Sequence, residues 1–370
     1  MKRVIITRKI QIVVNEDNKE IRKTHYETLH YWNFTLTRCA NLIATHQFVI
    51  ENIKDLMYLV DEVKVKAADI KKDPEGILNT SRMNTTYRLL SKKHLEDVPS
   101  TFLTTLNSWV CKNFSEEKQD YYTGKRSLRN YRKNVPMPFQ KKSLNYFQWN
   151  EKLNQFTFTL AKIPFKTYLG QDRSGNRQII DRVLSGEYKL SDSSLKYDDR
   201  KNKWYLLLTV SFDSMIYDGS GGDKICNAWL GFEIPIISKA EKRETEIGSK
   251  EEFLHRRLQI QAKLRRLQVA IRYNDGGSGR KRKLQAIERF HEKEKHYVKT
   301  KMHLYSKKLV DFAIDSKCGK IILNNYKEVA EDTKKEDNQG KLLLRNWSYY
   351  GLSDMINYKA NKYNIEVEVL

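Results

Sequence analysis

The residues of this 370-residue chain best suited to chemistry are cations in two clusters. Residues 251–310 hold 17 Lys and Arg against 6 Asp and Glu, a net +11 that is half of the chain's +22. Arg256, Arg257, Lys263, Arg265, Arg266, Arg280, Lys281, Arg282, Lys283 and Arg289 recur there in helical text. Cations on paired helices can track a phosphate backbone and release its counterions, whereas an ordinary solvated helix face usually mixes signs. Phosphate contacts position a nucleic acid without reading it, so specificity must come from elsewhere in the chain or from a guide strand. The second cluster interleaves cations with rings: Lys118, Tyr121, Tyr122, Lys125, Arg126, Arg129, Tyr131, Arg132 and Lys133. That mixture suits stacking on unpaired bases, although any single Tyr reads equally as core packing. Cys39, Cys111, Cys226 and Cys318 are far apart and form no Cys-x-x-Cys pair. They argue against a zinc knuckle and for a reducing cytosol.

The elements that must position these residues follow from composition and period. With 39% hydrophobic and 11% aromatic residues the chain can sustain a core, which excludes wholesale disorder. Mean hydropathy is −0.70, and the sequence has no apolar run of about 18 residues that would span a membrane. Charge interrupts the N-terminus too early for a signal peptide. Alternation over 3–14 predicts strand. From 19 to about 130 the text is helical: one stripe through Leu29, Trp32, Leu36, Ala40, Ile43 and Phe48, a second helix at 50–69 and a third near 80–94. A fourth opens at Asp97 and Pro99, with Phe102, Leu106, Val110 and Phe114 inward. The segment 135–213 reads as a small antiparallel barrel or sheet, and Asp218–Asp223 as a flexible joint. After it come an apolar strand at Ala228–Ile234, a basic helical hairpin over roughly 250–317 broken at Asn274–Gly279, the strand Lys320–Leu323, a helix at 347–363 and a last strand at Ile365–Val369. Strand, helices, strand, helix, strand is α/β grammar.

This order of parts resembles the TnpB family, the RNA-guided nucleases of bacterial transposons from which type V CRISPR effectors descend. Three stretches carry the likeness: Ser194-Leu195-Lys196-Tyr197 with Lys203–Leu208; the hairpin with Leu254, Arg257, Leu258, Leu264 and Leu267, then His291, His296 and Ile314; and Trp347, Leu352, Tyr358-Lys359-Ala360 with Tyr363–Val367. The resemblance implies an α+β multidomain fold, with a helical recognition lobe (19–134) inserted in a β-barrel wedge domain (1–18 and 135–217). A linker (218–225) leads to a truncated RuvC-like, RNase H-type α/β domain (226–370) that ends before the family's zinc finger. It also places a reader of a short flanking DNA motif on the helix after Pro99, whose polar face offers Thr101, Thr104, Thr105 and Ser108; that face reads equally as ordinary and solvated.

In the family, carboxylates hold two divalent metal ions that clamp the attacking water and the leaving oxygen. The first is an Asp at the end of the first RuvC strand in a Gly-x-Asp-like context; the second is a Glu after an Ile/Val-rich strand. Aligned on Gly231-Phe232-Glu233, the first position holds Glu233, and the second holds Asn324 after Ile321-Ile322-Leu323. The third Asp lies beyond the end of this chain. Amides are poor substitutes for carboxylates on Mg²⁺, and Glu328, Glu331 and Asp332 read as solvated loop acids. The resemblance therefore implies no catalytic residue, no zinc and no need for Mg²⁺ in catalysis. It points to a member of the TnpB-like nuclease-dead repressors: a guide RNA and a matching double-stranded DNA as partners, a cytoplasmic protein on the bacterial nucleoid, and repression by occupying a promoter. Three other readings stay open: an active RNA-guided endonuclease of a transposon, an RNA-binding or RNA-processing protein without DNA targeting, and a transposase accessory factor.

Overall fold

The structure is a computed structural model that describes residues 3–56, 82–172, 174–215, 222–231, 233–272, 279–324 and 349–370. The readings at 57–69, Asp218–Gly221, Asn274–Ser278, Glu328, Glu331, Asp332 and Trp347 lie outside the described residues. The chain divides into two compact units, Ile5–Phe212 and one built chiefly from Asp213–Leu370.

In the first unit, strand β1 (Arg3–Val14) leads into helix α1 (Lys19–Leu56). The Asn18 carboxamide oxygen caps α1, accepting the Glu20 N–H at 2.9 Å, which satisfies one of the helix's otherwise orphan donors. Leu29, Trp32, Leu36, Ala40 and Ile43 are buried along one face, as the periodicity predicts. Phe48 instead stacks on Tyr122, ring centroids 5.5 Å apart. Residues 50–56 continue α1, so no new helix begins at 50. Helix α2 (Arg82–His94) follows, and α3 (Ser100–Tyr122) starts after Pro99 and buries Phe102, Leu106, Val110 and Phe114.

An eight-stranded sheet completes the unit: β1 with β2 (Met137–Phe139), β3 (Asn145–Asn150), β4 (Gln155–Leu160), β5 (Ile163–Tyr168), β6 (Lys189–Leu190), β7 (Ser193–Asp198) and β8 (Lys203–Asp213). The order is β2-β7-β8-β1-β5-β4-β3, with β6 on β8. The predicted closed barrel is not found among the described residues, because β2 and β3 are the two ends of that order. Pro138 in the three-residue β2 has no N–H to donate to another strand, which suits an edge. The all-strand reading of 135–213 also needs correction, since Asn176–Leu184 is a helix, α4. The Asp172 carboxylate accepts the N–H groups of Asn176 at 2.8 Å and Arg177 at 2.7 Å, fixing its first turn.

The second unit holds a five-stranded sheet of β9 (Ile225–Leu230), β10 (Ile236–Ala240), β11 (Arg243–Ile247), β12 (Lys320–Asn324) and β13 (Glu366–Val369). Its order is β11-β10-β9-β12-β13. β11, β10 and β9 run antiparallel, whereas β12 is parallel to both β9 and β13. The single strand predicted at Ala228–Ile234 is thus a strand that ends at Leu230, followed by the hairpin β10–β11. Helices α5 (Lys250–Arg272), α6 (Gly279–Asp315) and α7 (Tyr349–Lys362) complete the unit. Cys226, Ala228 and Leu230 of β9 and Ile321 and Leu323 of β12 enter one core with Val298, Met302, Leu309, Leu352 and Ile356. Burial alternates along both strands, so Asn227, Trp229, Ile322 and Asn324 project from the opposite face.

Candidate nucleic-acid interface and the end of the five-stranded sheet

The basic character of α5 divides into two roles. Arg256, Lys263, Arg265 and Arg266 are exposed, and among the described residues only Arg256 of these four has a side-chain hydrogen-bond partner, Gln259 at 2.9 Å. Arg257 is fully buried, and its guanidinium donates to Glu294 Oε1 through Nε at 3.1 Å and Nη2 at 2.9 Å. The same group lies 5.2 Å from the centre of the Phe253 ring. Arg257 is therefore a correction to the predicted phosphate row: its charge is spent between α5 and α6, where a buried cation requires a partner. Arg280, Lys281, Arg282, Lys283 and Arg289 stand on α6, and their side chains lie outside the described residues.

The cation-and-ring cluster near the end of α3 also divides. Tyr131 is 8% exposed, packed on Trp109 and anchored by Asn41, which accepts its N–H at 2.8 Å and donates to its carbonyl at 2.8 Å. This ring is core, not a stacking platform. Arg126 and Arg129 both pair with Glu117, and the Arg129 contact holds that carboxyl below its ordinary range. Lys125 and Arg132 are exposed. On α3, the Thr104, Thr105 and Ser108 hydroxyls donate to the carbonyls of Ser100 (2.8 Å), Thr101 (2.8 Å) and Thr104 (3.2 Å), while Thr101 meets Ser143 at 2.7 Å. The hydrogens of Thr104, Thr105 and Ser108 are engaged within the protein, leaving acceptor lone pairs for a ligand, whereas Thr101 Oγ1 also accepts the Gln140 N–H at 3.2 Å.

At the end of the five-stranded sheet, Asn324 closes β12 and its amide donates to Asn227 Oδ1 on β9 at 3.3 Å. Its direct neighbour in the parallel register is Trp229, 37% exposed. Glu233 stands elsewhere. The chain bends after β9 at Gly231, where a Cβ would meet the Ile234 carbonyl oxygen at 2.7 Å, and the Tyr349 hydroxyl donates to the Gly231 carbonyl at 3.1 Å. Beyond that bend the Glu233 carboxylate is solvent-facing and paired with Lys250 at the start of α5, whose N–H also donates to the Glu233 carbonyl at 2.8 Å. No described contact joins Glu233 to Asn324.

Sequence reasoning missed Asn227 and Trp229. The available signal was Asn227-Ala228-Trp229, a three-residue frame shortly before the chosen Glu233; choosing between the frames required the pairing of β9 with β12. The donors at the strand ends are two amides and an indole, which do not fit a two-metal carboxylate site. Among the described residues no group of three His, Cys, Asp or Glu side chains is placed to hold a metal ion, and no helix is long and apolar enough to cross a membrane.

No family model matches the chain. It is 28% identical over 272 residues to a CRISPR-associated endodeoxyribonuclease named Cas12f1 from Sulfoacidibacillus thermotolerans, a match covering 69% of this chain and 61% of the relative. A Cas12f1 from Syntrophomonas palmitatica is 31% identical over 210 residues, covering 52% of this chain and 40% of that protein. The chain thus spans 61% and 40% of these curated relatives' length. Among solved structures, the protein of a Cas12f1–sgRNA–target DNA complex superposes with a TM-score of 0.65 at 15% identity, covering 99% of this chain and 89% of that one. In sequence and in its α+β fold, this chain is similar to Cas12f1 proteins.

Proposed function

We propose that the protein binds a guide RNA and, through it, a matching double-stranded DNA beside a short flanking motif without cutting either strand, and that it represses transcription by occupying its target. The observation that carries the loss of cutting is the neighbourhood of Asn324. In the TnpB-like frame two carboxylates must converge on shared metal ions at the ends of adjacent strands. Here the residues in register are Asn324 and Trp229, with Asn227 beside them. Reading Asn227-Ala228-Trp229 as the Gly-x-Asp-like context puts Trp229, rather than Glu233, in the first ligand position. Neither position then carries a charge. The sheet order supports reading Asp213–Leu370 as the RuvC-like part, with the lobe and wedge in Ile5–Phe212. The exposed cations of α5 support retained binding. Membership of the nuclease-dead repressors, rather than of a broader Cas12f1-like group, is part of the same proposal.

One observation favours a second reading, an active endonuclease: the curated relatives carry that name. The two separate experimentally. The protein is purified with its RNA, the RNA is sequenced, and a duplex matching its variable end is incubated with the complex in Mg²⁺. The proposal expects a retained, intact duplex; nicked product indicates the endonuclease. An RNA with a uniform scaffold and no variable end supports RNA binding without DNA targeting.

A further inference from the structure

Within the Ile5–Phe212 unit, a cavity of about 530 Å³ opens beside α1, inside the size range of small-molecule and nucleotide sites. From α1, Asn33 lines it together with His30, Phe34, Thr37 and Arg38, and the last four form one stripe of the helix at i, i+4, i+7 and i+8. This stripe faces away from the buried one, and Phe34 is 62% exposed. Facing it across the cavity are Lys133, Asn134, Tyr197 and Asp199. Its wall is aromatic: the His30 ring meets Tyr197 edge-on at 4.5 Å, and Trp204 lies 5.3 Å behind. Burial holds the His30 imidazole below its ordinary range. The Tyr197 hydroxyl donates to Asn202 Oδ1 at 2.5 Å, which fixes its ring.

The polar groups are unequal. Asp199, the one acid among the lining residues, already pairs with Lys133 at 3.8 Å and accepts from the Asn134 amide. Arg38 has no ion pair among the described residues and lies 5.7 Å from the Phe34 ring centre. The cavity therefore offers an exposed ring, an aromatic wall, the Arg38 cation and a loose, exposed Lys133–Asp199 pair. A neutral metabolite has no use for the cations, and a duplex cannot enter between the rings. An unstacked base can lie on Phe34 while its phosphate meets Arg38 or Lys133.

We infer that this cavity is a binding site for one unpaired nucleotide, its base stacked on Phe34 against the His30–Tyr197 wall and its phosphate held by Arg38 and Lys133. The inference rests on the nucleic-acid reading above and adds a site to it. The nucleotide belongs to the RNA or to the DNA, and the test has an arm for each. The complex is assembled with its own RNA carrying 4-thiouridine, or on a matched duplex carrying 4-thiothymidine, then irradiated and the linked peptides mapped. The expected result is cross-linking to the peptides of residues 30–38 or 197–199 in one arm. Phe34→Ala and Arg38→Gln should each weaken binding in that arm roughly 10-fold, Phe34→Tyr should restore it, and melting temperatures should stay unchanged because both side chains are exposed. Binding of RNA and matched DNA with cross-links only elsewhere, and with both variants unaffected, overturns the pocket while leaving the proposed function standing. Binding of neither nucleic acid overturns both.

Discussion

The exposed face of α5 and the end of the five-stranded sheet belong to one unit, yet they hold opposite kinds of side chain. The helix keeps Arg256, Lys263, Arg265 and Arg266 in water, whereas the sheet end sets the uncharged Trp229 and Asn324 side by side, with Asn227 next to them. On the proposed function, binding and cutting rest on different residues. Long-range phosphate attraction tolerates a flexible surface, whereas metal catalysis needs several charged oxygens fixed around one point. A chain can lose the second and keep the first.

Substitutions can break this comparison, and the largest effect falls where it is least visible. Arg257→Ala leaves Glu294 buried and unpaired, so unfolding free energy should drop by about 3–5 kcal/mol in denaturant titration. Arg256→Ala, one residue away and exposed, should change it by no more than about 0.5 kcal/mol. Equal effects would show that burial does not separate the two arginines.

The next effect is on binding. Arg265→Glu with Arg266→Glu should weaken binding of matched and scrambled DNA alike. If each side chain meets one phosphate, the slope of log affinity against log salt should shrink by about 2. An unchanged slope removes this face from the interface.

A smaller effect sharpens the sheet end. Trp229→Asp with Asn324→Glu places two carboxylates side by side in register. Repulsion between such neighbours should cost up to about 1 kcal/mol in chelator. Mn²⁺ should recover this stability in the variant and do nothing for the parent. Recovery by Asn324→Glu alone, dependent on Glu233, would return the first ligand position to Glu233.

A separate effect concerns Lys359 on α7, which donates to Ser306 Oγ at 2.8 Å and to the His303 carbonyl. Desolvation pushes its ammonium down to about 8 from the ordinary 10.5. The unfolded chain then holds more proton than the folded one between these values, so stability from this group rises with pH across that window. The melting temperature of the parent relative to Lys359→Met should increase from pH 7.5 to 9.5; a constant difference contradicts the shift.

Much of the fold was legible because it is periodic. The stripes of α1 and α3 and the apolar runs of β8 and β12 repeat at the spacing their burial requires. α4 was hidden because Gln178-Ile179-Ile180 mimics a strand and the helix is only nine residues long. β10 and β11 are five residues each, and the polar text Arg243–Ile247 gives strand no apolar alternation to announce it. The site was less legible for a related reason. A charged helix does not reveal that Arg257 meets Glu294, 37 positions on. Nor does a strand reveal its register with one that follows the long hairpin, and that register distinguishes Trp229 from Glu233 as the neighbour of Asn324. Both facts depend on pairings made only by folding.

The most direct test of the separation is one reaction read twice. The purified protein–RNA complex is titrated onto end-labelled duplexes matched to its RNA or scrambled, at physiological salt with excess Mg²⁺, and each sample is run on native and denaturing gels. The account predicts preferential retention of the matched duplex with both strands full length. Cut strands, or equal binding of matched and scrambled DNA, would contradict it.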